Sequence, residues 1–135
     1  MNRTPLPKPL VLFVCRHNTG RSQMAEAYLR WFAGDTIEVA SAGTEAADAP
    51  NSAVVAAMAE DGIDISQACP KLIDPETARR ADRIITMGCD VQGVPRIDED
   101  WGLADPKGAP PERVREIRDA VKLRARRLAE EISGR

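Results

Sequence analysis

The sequence predicts an α/β fold built on a parallel, doubly wound sheet, and three observations carry that expectation. The run Leu10-Val11-Leu12-Phe13-Val14 is continuously apolar with β-branched and aromatic members, the signature of a strand covered on both faces. A helix-period pattern follows it after a short polar loop, and shorter apolar segments then alternate with further helical patterns to the end of the chain. At 135 residues, 43% hydrophobic and 30% charged, the chain has the size and composition of one soluble globular domain.

Residues 1–8, with prolines at 5 and 7, are expected to form a flexible leader without a function of its own, and residues 9–135 the domain. Strand one covers 10–14 and stops at Cys15. Over 21–32 the positions Met24, Ala27, Tyr28 and Trp31 recur at helical spacing, Ala25, Leu29 and Phe32 widen the stripe, and Gly34 supplies the stop. Ile37 to Ser41 alternates as a second strand before Gly43. Pro50 and Asn51 start an alanine-rich helix that runs through Met58 and stops at Gly62. Asp74 and Pro75 make an N-cap and first-turn proline for a short helix ending before Ala81. A third strand is expected over 81–87 and a short fourth around Arg96 and Ile97, inside a Gly-, Pro- and Asp-rich stretch over 90–110. From about Pro111 onward, Val114, Ile117, Val121, Ala125, Leu128 and Ile132 mark one face of a long final helix.

Several function classes are excluded by composition. A net charge of −2 gives no global positive field to recruit nucleic acid or acidic membranes. The apolar run near the N-terminus is too short for a signal-peptide core, and nothing reaches membrane-spanning length. Three cysteines, an odd number without an export signal, argue against a disulfide framework and for the reducing cytoplasm. A single histidine and scattered cysteines leave no zinc cluster.

The chemistry is expected in the loop Cys15-Arg16-His17-Asn18-Thr19-Gly20-Arg21-Ser22, between a buried strand and a helix start. Backbone N–H groups of such a turn, with the unpaired donors of the helix, converge on a bound anion. Gly20 is expected to ease the curvature. Arg21 adds a planar fork suited to two oxygens of a tetrahedral oxyanion. The same electropositive cradle favours the thiolate of Cys15, the nucleophilic form, with Ser22 as its hydrogen-bond partner and Asn18 holding the loop.

The string 11–15 with Asn18, then Arg21-Ser22-Gln23-Met24-Ala25-Glu26-Ala27 and Ser41-Ala42-Gly43, resembles the low-molecular-weight tyrosine phosphatase superfamily and, within it, the arsenate reductases. Asp64-Ile65-Ser66, Ala81-Asp82, Ile84-Ile85-Thr86-Met87, Trp101 and Asp105-Pro106 continue the likeness in order. The resemblance implies a single-domain flavodoxin-like three-layer sandwich, with strand order 2-1-3-4 and the site beyond the carboxyl end of strand one. It also implies that Asp105 is the general acid and that arsenate forms an arseno-cysteine on Cys15. A second thiol then resolves that adduct and releases arsenite. The alternative is a phosphatase that hydrolyses a phosphocysteine with water. Lys107-Gly108 stands where the phosphatases carry aromatic residues, and His17 where they commonly carry glycine, which favours arsenate reduction.

The second thiol is open at this level. Cys89 lies near the place of a resolving cysteine, while 91–94 supplies no further one, so either Cys89 forms a disulfide that thioredoxin reduces, or an external thiol attacks instead: mycothiol with mycoredoxin, or glutathione with glutaredoxin. No tightly bound cofactor is implied. Phosphate and sulfate are expected to compete with arsenate, Lys107 and Arg16 to attract anions, and the protein to be a monomer. Some members of the superfamily hold a monovalent cation with residues matching Asn18, Glu26, Ser41 and Asp64; hydrogen bonding that ties the loop is the plainer role for these four. Cys69 is expected to be incidental.

Overall fold

The computed structural model describes residues 8–45, 47–88 and 91–133. Four strands, β1 (Leu10–Cys15), β2 (Glu38–Gly43), β3 (Arg83–Thr86) and β4 (Glu99–Asp100), form one sheet in the order β2-β1-β3-β4. Every pairing is parallel, with Phe13 opposite both Ser41 and Ile85. The helices are α1 (Arg21–Ala33), α2 (Ser52–Glu60), α3 (Pro75–Arg80) and α4 (Pro111–Ile132).

All six residues of β1 are buried, because its two faces meet different cores. Val11, Phe13 and Cys15 join the larger cluster with Met24, Tyr28 and Leu29 of α1, Val54 and Met58 of α2, and Val114, Val121 and Leu128 of α4. Leu10, Leu12 and Val14 face a smaller cluster with Ala78 and Ala81 at α3. Each of the large side chains buried there contributes about 1.5–3 kcal/mol from removed apolar surface. The sheet is thus covered heavily on one side and thinly on the other, and its central strand delivers Cys15 to the carboxyl edge.

Local chemistry sets the helix ends. The Asn51 carboxamide oxygen accepts from the amides of Ala53 and Val54 and caps α2. Asp74 caps α3 ahead of Pro75. Gly34, at φ 59°, closes α1.

Two expectations need correction. The fourth strand lies at Glu99–Asp100 rather than around Arg96 and Ile97, because the Asp98 carboxylate accepts from the Ile84 amide and Asp98 itself donates to the Ile84 carbonyl, so the register with β3 begins after it. Trp31 is 54% exposed; the buried stripe of α1 runs through 24, 25, 28, 29 and 33, and Trp31 stacks on Tyr28 from outside. At Gly20 a Cβ would come 3.0 Å from the Pro106 ring, so close approach to the loop that carries Asp105 also requires its small size.

Candidate active site

The loop from Cys15 to Ser22 leaves β1 and enters α1 with its polar groups turned inward. Cys15 is 4% exposed. Its Sγ lies 2.8 Å from Ser22 Oγ and accepts the Asn18 amide at 3.2 Å. Asn18 is the one non-glycine residue with positive φ, 56°, among the described residues, and asparagine tolerates that conformation better than most. Its Nδ2 donates to Ser22 Oγ at 2.8 Å and to Ser41 Oγ at 3.0 Å. Because Ser22 accepts there, its own proton is available to the sulfur. The Asn18 Oδ1 accepts from the Lys71 amide at 2.9 Å and from Gln23 Nε2 at 3.2 Å. Ser41 in turn donates to Glu26, whose carboxylate is paired with Arg30 and has Lys71 Nζ at 3.9 Å. A hydrogen-bond chain therefore runs from Glu26 through Ser41, Asn18 and Ser22 to Cys15, and every buried side-chain polar atom among the described residues has a partner. Hydrogen bonds donated to a sulfur favour its negative form.

Arg21 is buried, with one edge already committed. Its Nη1 donates to the Met87 carbonyl at 2.9 Å and the Leu103 carbonyl at 2.7 Å. The Nε–Nη2 edge remains for an anion over the loop. Nη2 lies 3.9 Å from Asp105 Oδ2, whose side chain is 55% exposed. The segment carrying Asp105 is tied to the end of β3: Trp101 and Leu103 amides donate to Thr86 and Met87 carbonyls, Asp100 accepts from Thr86 and Gly88, and Trp101 is buried against Phe13, ring centroids 5.2 Å apart. Asp105 Oδ1 accepts from the Lys107 amide at 3.0 Å.

A cavity of about 450 Å³ opens beside the loop, lined by His17, Thr19, Asn51, Ser52, Asp105 and Lys107 among others. Glu45, two residues past β2, meets the same loop. It pairs with Arg16 at 2.8 Å, and the Arg16 guanidinium holds its carboxyl below the usual carboxylate range. The backbone carbonyl of Glu45 lies 3.2 Å from His17 Nδ1. A carbonyl can only accept, so Nδ1 carries the proton.

The other residues singled out by sequence are more scattered. Asp64 is exposed; its carboxylate accepts the Ser66 amide and sits below its ordinary range because of Ser66. It shares a separate cavity with Glu26, Lys71 and the exposed Cys69, but it is not in the hydrogen-bond chain. Cys89 lies outside the described residues. Glu45 and Lys71 escaped the sequence analysis, and Gly43 entered it only as a strand end and within the Ser41-Ala42-Gly43 string. A Cβ on Gly43 would meet the Arg16 carbonyl at 2.7 Å and the Asn18 amide at 3.0 Å, and Gly43 pairs with Leu72 in a parallel bridge that brings the Lys71 amide to Asn18. Only the Ser41-Ala42-Gly43 string signalled this; Glu45 and Lys71 arrive from segments with no local pattern.

A strand, a polar loop and a helix, with a cysteine at the loop's base and an aspartate across from it, define a phosphatase-like protein. The chain matches the low molecular weight phosphotyrosine protein phosphatase family over residues 10–97, and it belongs to that family. Within the family it is similar to arsenate reductases. The glutaredoxin arsenate reductase of Synechocystis sp. is 39% identical over 129 residues, 91% of this chain and 98% of that protein. A solved arsenate reductase in the phosphate binding state superposes with TM-score 0.83 at 37% identity, covering 92% of this chain and 98% of that one. The Corynebacterium glutamicum thioredoxin-dependent arsenate reductase superposes with TM-score 0.79 at 39% identity, covering 94% of this chain and 63% of that longer one.

Proposed function

We propose that this protein is an arsenate reductase that forms an arseno-cysteine on Cys15. The observation that carries the reading is the pairing of a sulfur held by Ser22 and Asn18 with an arginine edge left open over the same loop. Arsenate would lie on the loop amides of residues 16–22 and the Nε–Nη2 edge of Arg21, where preorganised donors stabilise charge developing on the oxyanion. The Cys15 thiolate attacks arsenic while Asp105 protonates the departing oxygen, which leaves as water. A second thiol then attacks the Cys15 sulfur. The sulfur–sulfur bond forms, the sulfur–arsenic bond breaks, and its electron pair stays on arsenic, so that As(V) leaves as arsenite while two sulfurs are oxidised.

Phosphate and sulfate, being tetrahedral, should compete for the loop. The reductant is a thiol system. Among relatives both glutaredoxin and thioredoxin appear in the names, and an external low-molecular-weight thiol, such as mycothiol or glutathione, is the form favoured for this chain, with Cys89 as the alternative resolving thiol. The chemistry needs reduced cysteines and so fits the cytoplasm; no helix among the described residues is long and apolar enough to cross a membrane. One catalytic domain over 9–135, preceded by a leader over 1–8 and acting as a monomer, accounts for all these parts. Arg30 and Lys71 already balance Glu26, which supports a hydrogen-bonding role for Asn18, Glu26 and Ser41 over a cation site with Asp64.

The test is arsenate-dependent oxidation of thiol by the purified protein, assayed with mycothiol, glutathione and thioredoxin systems. Arsenate-stimulated turnover that Cys15→Ser abolishes is expected. No turnover with any of the three, together with brisk thiol-independent hydrolysis of an aryl phosphate, would instead assign the phosphatase reaction.

A further inference from the structure

The cavity at the mouth of the site is larger than its oxyanion requires. An inorganic tetrahedral anion displaces only a few waters, each about 30 Å³ of liquid, whereas the cavity holds about 450 Å³, within the roughly 300–1,000 Å³ range of sites for small organic ligands. Its walls come from the loop over residues 15–22, the segment leading into α2, and the Asp105 loop, with alanines 47 and 49 and no phenylalanine, tyrosine or tryptophan among its lining residues. Most charge at this rim is already matched: Glu45 by Arg16, and Asp105 by its approach to Arg21. Among the lining residues Lys107 is the cation without a carboxylate partner. His17 presents the second asymmetry. With Nδ1–H donating to the Glu45 carbonyl, a neutral ring carries its lone pair on Nε2, which has no partner among the described residues.

Resting on the arsenate reductase reading, we propose that this cavity docks the second thiol as a small carboxylate-bearing molecule, that Lys107 grips its carboxylate, and that His17 Nε2 takes the thiol proton. The proton moves from the incoming sulfur to Nε2. The resulting thiolate attacks Cys15 Sγ, arsenite departs with the electron pair, and a mixed disulfide between Cys15 and the small thiol remains for a further thiol to clear. His17 sits two residues from Cys15 in the loop that encloses the sulfur, and the Glu45 carbonyl fixes its ring, so an approaching thiol can meet the base and the nucleophile's adduct together. A protein reductant would not need an open cavity of this size or a lysine without a carboxylate partner on its wall.

Glutathione and its diethyl ester are suitable probes, with a third thiol, an aromatic one already ionised at neutral pH. Lys107→Gln should raise KM for glutathione about five- to tenfold, the worth of one charged hydrogen bond at a partly exposed site, and leave KM for the ester unchanged. His17→Gln should lower kcat with glutathione on the order of 10²-fold and lower the rate with the ionised thiol far less, and any change in inhibition by inorganic phosphate should be the same with either thiol. Equal losses with ionised and un-ionised thiols would make His17 a structural residue and overturn the base assignment. An unchanged KM for glutathione in Lys107→Gln, or turnover with thioredoxin alone, would overturn the docking site while leaving arsenate reduction intact; absence of turnover with every reductant would instead remove the activity on which it rests.

Discussion

The floor and the rim of the site are built by opposite means. At the floor, Cys15, Asn18, Ser22, Glu26 and Ser41 are buried and joined in one hydrogen-bond chain, and the buried Arg21 is fixed by two backbone carbonyls, so the proposed anion cradle is in place before any ligand arrives. At the rim, Asp105 and Lys107 are exposed, held by backbone contacts of the loops that carry them. The difference separates two duties. A preorganised floor can hold a tetrahedral charge without reorganising, and an open rim can admit first an oxyanion and then a thiol. Substitutions at the floor should therefore damage anion binding and chemistry together, and substitutions at the rim should separate them.

The largest effect is expected at the floor. Arg21→Lys keeps the charge but loses both the fork and the two backbone carbonyl ties, and kcat/KM for arsenate should fall about 10²–10³-fold with weaker phosphate inhibition alongside. If phosphate inhibition were untouched, the floor would not be the anion site. At the rim, Asp105→Asn should lower kcat about 10²-fold while phosphate binds as well as before or better, since a negative charge 3.9 Å from the Arg21 guanidinium is gone. Steady-state kinetics with phosphate as competitor reads both parameters.

Two glycines compare the regions by packing alone. Gly43→Ala drives a methyl group against the Arg16 carbonyl and the Asn18 amide at 2.7 and 3.0 Å, backbone atoms of the floor that cannot step aside. It should cost about 1–3 kcal/mol in denaturant unfolding and weaken phosphate binding with it. Gly20→Ala meets the ring of Pro106 at 3.0 Å, a side chain beside Asp105 rather than backbone. Its stability cost should be smaller, and its main effect a displaced Asp105 with lower kcat.

How much of this could be read from the chain follows the same division. Strand one, the loop and α1 are contiguous, and their apolar period, their glycine and their cysteine-to-arginine spacing are local signals. The sheet order came from the family resemblance. Trp31 misled because a helix of thirteen residues offers more apolar positions than one face can bury, and tertiary packing chooses among them. The fourth strand shifted because the Asp98 carboxylate just ahead of it holds the Ile84 amide of the neighbouring strand, a contact no periodicity encodes. Lys71 reaches Asn18 across 53 residues of sequence through an isolated bridge beside β2, and Glu45 binds the loop from 28 and 29 residues away. Such partners are invisible until the sheet brings them together.

The smallest effect should come from behind the floor, where α1, α2 and α4 meet. The Tyr28 hydroxyl donates to Asp61 Oδ2 at 2.6 Å, and Lys122 Nζ reaches the same oxygen at 3.1 Å. Burial, and then the Asp61 carboxylate, push the Tyr28 phenol above its usual range, while the Tyr28 hydroxyl, then Lys122, hold Asp61 below its own. A depressed carboxyl stabilises the fold above its unfolded pKa of about 3.9, and that contribution is lost as pH falls through the folded value. A raised phenol stabilises the fold below its unfolded pKa of about 10, and that contribution is lost as pH rises beyond it. Tyr28→Phe should accordingly cost about 1 kcal/mol between roughly pH 5 and 9, with the deficit shrinking on either side of that window, while kcat for arsenate stays at the wild-type level. Chemical denaturation across pH reads the first part and turnover the second. A drop in kcat of tenfold or more would mean that strain behind α1 reaches Ser22 and Cys15, and the floor could no longer be treated as rigid in its own right.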